Sequence, residues 1–188
     1  AGFIGSNYIR YVQKRHDRAV TIVNLDKLTY AGSLDNLSNL PFPDRHIFVK
    51  ADISDPVAVN RIFKKHRPGA VVHFAAETHV DRSIFDPFVF LKTNVNGTVV
   101  LLEAALAAWK ASPAKFTRFV HVSTDEVYGS LGPRSASQED DPLRPRSPYS
   151  ASKASSDLLV QSYGHTYGLP VTVTRCSNNY GPNQFPEK

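Results

Sequence analysis

Tyr149 and Lys153 lie four residues apart, and Tyr149 follows Thr124 of the run Ser123-Thr124-Asp125-Glu126 by 25 residues. A four-residue spacing on a helix puts both side chains on one face. An ammonium beside a phenol favours the phenolate, so Lys153 is expected to move Tyr149 from an ordinary value of about 10 toward neutrality. Such a tyrosine can take a proton from a sugar alcohol while hydride leaves the same carbon. Alcohol oxidation needs no more than this. Asp125 and Glu126 add a second base and an acid, the groups required to eliminate water after the oxidation.

Those side chains need a scaffold, and the sequence describes one. Apolar runs alternate with amphipathic stretches, which predicts an α/β fold with a parallel sheet covered on both faces. Strands are expected over 20–25, 47–51, 70–75, 119–123 and 171–174, and helices over 5–14, 56–66, 88–109 and 148–167. The last helix has clear punctuation: Ser147 as cap, Pro148 at the first position, and Gly168 with Pro170 at the end. Ser123 to Glu126 then falls at the C-terminal end of a strand, the edge where open α/β sheets bind ligands. The loop over 129–146, rich in Pro, Ser and charge, reads as a surface excursion near that edge.

A second constellation lies upstream. Gly2-Phe3-Ile4-Gly5 leads into a helix, and Asp26 closes the next strand 21 residues after Gly5. Glycines let backbone N–H groups approach a pyrophosphate at a helix start, and a carboxylate about 20 residues on suits the adenosine ribose. That carboxylate repels a 2′-phosphate, which favours NAD over NADP, with Lys27 as a counter-signal. Asp52 and Ile53, after the following strand, could meet the adenine amino group and ring face; Asp52 reads equally well as a helix cap before Pro56. Ala75 and Ala76 are small residues where a cofactor would cross the sheet edge. Thr93 and Asn94, taken alone, read as surface positions of a long helix. An Asp-Glu pair is by itself most often a solvated turn.

Composition narrows the class. The 188 residues, 41% hydrophobic and 21% charged, suit a globular domain with a real core. The net charge of +5 is spread over short clusters such as Lys64-Lys65-His66-Arg67 and Arg144-Pro145-Arg146, which read as solvated faces and not as a nucleic-acid surface. A phosphate-bearing small substrate suits that balance. One cysteine, Cys176, and no Cys/His ligand spacing point to a reducing, cytoplasmic compartment and to no metal site. No apolar run is expected to reach the ~20 residues that cross a membrane.

The stretches 1–7, 25–32, 73–83, 122–129, 149–153 and 175–182 together resemble the extended short-chain dehydrogenase/reductase family, and within it the dTDP-glucose 4,6-dehydratase group most closely. The resemblance spans essentially the whole chain. Its most specific element is Thr124-Asp125-Glu126, because related sugar epimerases share the Tyr/Lys pair but lack the acid pair. It implies a Rossmann-like doubly wound sheet, with residues 1–175 binding NAD and 176–188 beginning the sugar-nucleotide region. It further implies cofactor contacts from Gly2, Phe3, Ile4, Gly5, Asp26, Lys27, Leu28, Thr29, Asp52, Ile53, Ala75, Ala76, Thr93, Tyr149, Lys153 and Asn179, substrate contacts from His79, Thr124 and Asn178, and a homodimer. Two departures stand out: the family's first strand and first glycine are missing, and most of its sugar-nucleotide domain is not present. The fold is expected to be truncated at both ends, leaving two interior strands unpaired.

The implied reaction is dehydration of a nucleotide-activated hexose, dTDP-glucose, to a 4-keto-6-deoxy sugar: a hydro-lyase reaction with NAD restored in each turnover. Tyr149 removes the C4 hydroxyl proton, Glu126 the C5 proton, and Asp125 protonates the departing C6 hydroxyl. Alternatives are another sugar-nucleotide 4,6-dehydratase, a 4-epimerase, or a non-catalytic dinucleotide sensor on the same fold.

Overall fold

In the computed structural model, residues 1–16, 19–132 and 135–186 are described. The chain forms two compact units, one of residues 1–53 with 178–188 and one of residues 54–177. Among the described residues every strand pairing is parallel, but the strands form two sheets where the sequence predicts one.

In the first unit, helix α1 (Phe3–His16) starts two residues earlier than expected, so Gly5 lies in its first turn. Lys14, Arg15 and His16 occupy the last turn, where positive charge complements the helix dipole. Strand β1 (Ile22–Asp26) pairs with β2 (His46–Lys50). Gln13 fixes the approach to β2 by donating to the Phe42 carbonyl at 2.8 Å and accepting from the Phe42 amide at 3.0 Å. Residues 178–186 join this unit through Asn7, whose side chain donates to the Pro182 carbonyl at 2.7 Å, and through an edge contact between Tyr30 and Phe185.

The second unit opens with helix α2 (Pro56–His66), capped by the Asp55 side chain on the amides of Val57 and Ala58. The cap is therefore Asp55, and the reading of Asp52 as that cap falls away. Strand β3 (Ala70–His73) is followed by helices α3 (Val80–Phe85) and α4 (Pro87–Phe90), a π-helical turn (Leu91–Asn96) and helix α5 (Gly97–Ala111). The sequence predicts one regular helix over 88–109; the π turn interrupts it. Strand β4 (Arg118–Thr124) lies between β3 and β5 (Val171–Cys176). Helix α6 (Pro148–Tyr167) connects β4 to β5, with Ser147 and Ser150 capping each other and Gly168 ending it at φ 74°.

The membrane expectation needs correcting. The helical run Pro87–Ala111 is long and apolar enough to span a bilayer by length and composition, at a mean hydropathy of 1.2. Half of that apolar window is buried in the protein, including Leu101, Leu102, Ala104, Ala105 and Leu106.

Candidate active site

Strand β4 delivers the acid pair. It ends at Thr124, whose hydroxyl accepts from the Glu126 amide at 3.3 Å and so caps a tight helical turn, Asp125–Tyr128. The same hydroxyl donates to Asp125 Oδ1 at 3.3 Å. Asp125 is exposed and Glu126 half-buried. The turn exits through Gly129 at φ 82°, where a Cβ would stand 2.2 Å from the Arg144 carbonyl oxygen. Arg144 closes the loop by donating its amide to the Val127 carbonyl at 2.9 Å. The loop expected over 129–146 thus returns to the acid turn; Pro133 and Arg134 within it lie outside the described residues.

Helix α6 brings Tyr149 and Lys153 to this strand end, both buried. Burial pushes Tyr149 up to about 12; the charge on Glu126 pushes the same way, and a hydrogen bond with the Thr124 side chain pulls back. The expected shift toward neutrality is reversed. The reason is geometric: the Lys153 ammonium donates to the Val122 carbonyl at 2.7 Å, so Thr124, and not Lys153, is the group favouring the phenolate. Burial also pushes Lys153 down to about 8, against the attraction of Asp157 and Cys176. It remains mostly charged at neutral pH.

The π turn supplies residues the sequence undervalues. Asn94 is buried, not on the surface, and holds Glu77 like a rung: its Oδ1 accepts the Glu77 amide at 2.8 Å and its Nδ2 donates to the Glu77 carbonyl at 3.0 Å. Nδ2 also reaches Ser152 of α6 at 2.9 Å, and Ser156 donates to the Asn94 carbonyl at 2.6 Å. Asn94 thereby fixes the segment after Ala75 and Ala76 against the helix carrying Tyr149. Thr93 beside it is half-buried. A π turn recurs where an inserted residue re-aims side chains at functional sites. His79, the expected substrate contact, caps α3 by accepting the Arg82 amide on Nδ1 at 3.3 Å.

Behind β4 lies a polar cluster without a counterpart in the sequence reading: His73, His121, Asp157 and Arg175. Asp157 is fully buried and meets Arg175 Nε at 2.8 Å and His121 Nε2 at 3.5 Å. His73 Nε2 lies 2.9 Å from the Thr98 hydroxyl. Burial lowers both histidines below their usual range, with Lys153 adding to the effect, so they are neutral. The available sequence signal was spacing: Asp157 falls four residues after Lys153 on the same face of α6.

The other expected cofactor residues belong to the first unit. Asp26 ends β1, with Oδ1 accepting the Leu28 amide at 2.7 Å and Oδ2 meeting the Ala1 amino group at 2.6 Å. Leu28 sits at φ 57°, a left-handed conformation that a leucine adopts only at a cost. Gly32 crowds the same carboxylate, since a Cβ there would be 3.2 Å from Asp26 Oδ1. Lys27 pairs with Asp52 at 2.7 Å, and Ile53 is buried. Thr29, Asn178 and Asn179 are exposed. Gly2 and Gly5 differ from Gly129: a Cβ on Gly5 would meet nothing within 4 Å, so packing does not explain the glycine. No acidic side chain occupies the first turn of α1. An open glycine turn at a helix start, with a carboxylate at the next strand end, fits a dinucleotide.

The profile of the GDP-mannose 4,6 dehydratase family matches residues 1–188. The chain belongs to this family. A dTDP-glucose 4,6-dehydratase of Xanthomonas campestris pv. campestris (strain B100) is 56% identical over 191 residues, covering 100% of this chain and 54% of that relative. A double mutant of the dTDP-glucose 4,6-dehydratase DesIV of Streptomyces venezuelae, solved with NAD bound, matches with a TM-score of 0.89 at 48% identity, over 100% of this chain and 56% of that one. A UDP-glucose 4-epimerase of Thermus thermophilus in complex with NAD matches with a TM-score of 0.85 at 34% identity, over 99% and 55%. The chain spans about half the length of the curated relatives it matches. These likenesses place it among the Rossmann-like, doubly wound α/β folds of the extended short-chain dehydrogenase/reductases.

Proposed function

We propose that the protein carrying this chain is an NAD-dependent hydro-lyase that converts dTDP-glucose to its 4-keto-6-deoxy derivative. The observation that carries this reading is the Asp125-Glu126 pair on the turn that follows Thr124, with the charge on Glu126 acting on Tyr149. Fold similarity alone does not separate dehydratase from epimerase, since relatives of both kinds match; the acid pair supports the dehydratase reading.

NAD, when bound, supplies a positively charged acceptor that takes one hydride and later returns it. Tyr149 removes the C4 hydroxyl proton as C4 gives up its hydride, leaving a C4 ketone that acidifies the C5–H. Thr124 supports this step by hydrogen bonding to the phenol, while the Lys153 ammonium is fixed on the Val122 carbonyl. Glu126 takes the C5 proton while Asp125 donates a proton to the C6 hydroxyl, which leaves as water. Glu126 gives its proton back to C5 as C6 is reduced, and the proton that Tyr149 took from the C4 hydroxyl returns through solvent to Asp125, so that atoms and charge balance and both side chains are restored over one turnover. Gly2, Phe3, Ile4, Gly5, Asp26 to Thr29, Asp52, Ile53, Ala75, Ala76, Thr93 and Asn179 are proposed to hold the cofactor, and His79 and Asn178 to meet the substrate. On this reading residues 1–175 form the NAD-binding domain and 176–188 begin the substrate region.

The complete protein is proposed to act in the cytoplasm as a homodimer. Support for the dimer is the apolar surface of α3, α4 and α6, where Ile84, Phe85, Phe88 and Leu158 are exposed. The deciding assay incubates the complete protein with dTDP-glucose and with UDP-glucose. Loss of one water from dTDP-glucose, with no net NAD consumption, is expected; C4 inversion of either sugar without water loss would replace the reading with an epimerase.

A further inference from the structure

Asp157 stands one helical turn beyond Lys153 on α6 and is completely buried. A buried carboxylate stays ionised only when it is well paired. Here burial pushes the Asp157 carboxyl up, but the Arg175 guanidinium, bonded at 2.8 Å, and the nearby His121 and Ser123 side chains outweigh it and hold it below the usual carboxylate range. Arg175 divides its attention: its Nη1 also donates to the Tyr128 hydroxyl at 2.8 Å and to the Glu139 carbonyl at 2.9 Å, and its guanidinium lies 5.1 Å from the Tyr128 ring centre. The proposed chemistry uses neither Asp157 nor Arg175.

Lys153 has the complementary difficulty. Its ammonium is buried, and its hydrogen bond goes to a neutral carbonyl, so the countercharge must act across space. The titratable groups coupled to it are His73 on β3, His121 on β4, Asp157 on α6 and Cys176 on β5, with Arg175 of β5 bonded to Asp157 at 2.8 Å. From the π turn and α5, the buried polar groups are Asn94 and Thr98, both uncharged. Within this set the histidines are neutral, and Asp157 is the leading group that attracts the ammonium.

We propose that Asp157 is a positioning residue: it is the buried countercharge that keeps Lys153 an ammonium, and Arg175 sets how much of that charge Lys153 feels. The proposal rests on the reading of Tyr149 and Lys153 as the proton-transfer pair. It carries a sign that a merely structural ion pair lacks. Neutralising Asp157 should make Lys153 lose its proton at lower pH, whereas neutralising Arg175 should make it lose its proton at higher pH.

The test places Asp157→Asn and Arg175→Gln in the complete protein and follows two readouts. One is the alkaline limb of kcat/KM; the other is the pH at which thermal stability begins to rise as Lys153 deprotonates. The expected result is a shift to lower pH, by about one unit, in Asp157→Asn and a shift to higher pH in Arg175→Gln. An Asp157→Asn variant that folds but shows no shift, or two variants shifting the same way, overturns the proposal. If Asp157→Asn does not fold, Arg175→Gln decides: an upward shift supports the proposal and its absence overturns it. Failure of both to fold makes the pair structural and also overturns it. Wild-type turnover of dTDP-glucose tests the reading of the site separately, and the stability readout stands even if that turnover is absent.

Discussion

The Lys153 ammonium donates to the Val122 carbonyl at 2.7 Å, which ties the middle of the catalytic helix to the strand that ends in Thr124. One buried charge thereby registers Tyr149 against the acid turn. The cost of holding it there is an ammonium pushed down to about 8 by burial.

That cost gives the first prediction a definite sign. Between about 8 and the ordinary 10.5, the unfolded chain holds a proton on Lys153 that the folded chain has lost, so stability rises with pH across this window. The rise should be on the order of 3 kcal/mol. Urea denaturation of the complete protein at several pH values, beside Lys153→Met, measures it. The variant should lose the rise; a parallel rise in both would assign it to another group.

Oxidation and elimination use different side chains, so their variants should fail at different steps. Tyr149→Phe should slow the first appearance of bound NADH by about 10²–10⁴-fold. Glu126→Gln should leave that appearance much less affected, while slowing water loss and C5 proton exchange by a similar factor. Single-turnover absorbance and solvent deuterium incorporation separate the two. Elimination at the wild-type rate in Glu126→Gln would remove it as the base.

The sequence made the scaffold legible where pattern and punctuation agree. The caps of α6 at Ser147 and Gly168, and the placement of Thr124 at the end of β4, follow from local chemistry that tertiary contacts leave unchanged. It misjudged what depends on partners distant in the chain. Asn94 looks like a helix surface residue until Glu77 and Ser152 meet it, and the Lys153 charge was assigned to Tyr149 by spacing alone when Val122 takes its hydrogen bond. The π turn is invisible to a period of 3.6, because Leu91 to Asn96 carry no residue that breaks a helix.

Gly129 has a backbone that other residues enter only under strain, at φ 82° and ψ −158°, and faces the Arg144 carbonyl oxygen. Gly129→Ala should cost at least about 1–3 kcal/mol for the backbone alone, with the clash added. Because Gly129 follows the acid turn directly, kcat should fall together with stability. Chemical denaturation and kcat of the variant check both; an unchanged denaturation midpoint would show that the loop yields freely.

Asp26 is proposed to bind the adenosine ribose, so NAD should bind more tightly than NADP. Asp26→Ala should weaken NAD by about 1.5–3 kcal/mol, the range for a charged hydrogen bond. Fluorescence titration of the complete protein with both dinucleotides measures the preference. Equal or tighter binding of NADP by the wild type would remove Asp26 from that role.

Asn94 tests whether the π turn serves the site or only the fold. Its amide satisfies both the N–H and the C=O of Glu77 and also bonds Ser152, and Asn94→Ala leaves these groups without their partner. With buried groups costing about 1–3 kcal/mol each when left unpaired and the Glu77 groups only part-buried, the loss should be about 1–3 kcal/mol. Asn94→Asp separates the contributions. A carboxylate can still accept the Glu77 amide, but it cannot donate to the Glu77 carbonyl or to Ser152, so its stability should fall between wild type and alanine only if the accepted bond matters. If the segment after Ala75 and Ala76 helps to hold NAD, both variants should bind the dinucleotide more weakly at a temperature where each is fully folded. Weaker binding in step with stability supports the site role, whereas wild-type NAD affinity in a folded Asn94→Ala protein would restrict Asn94 to holding the fold.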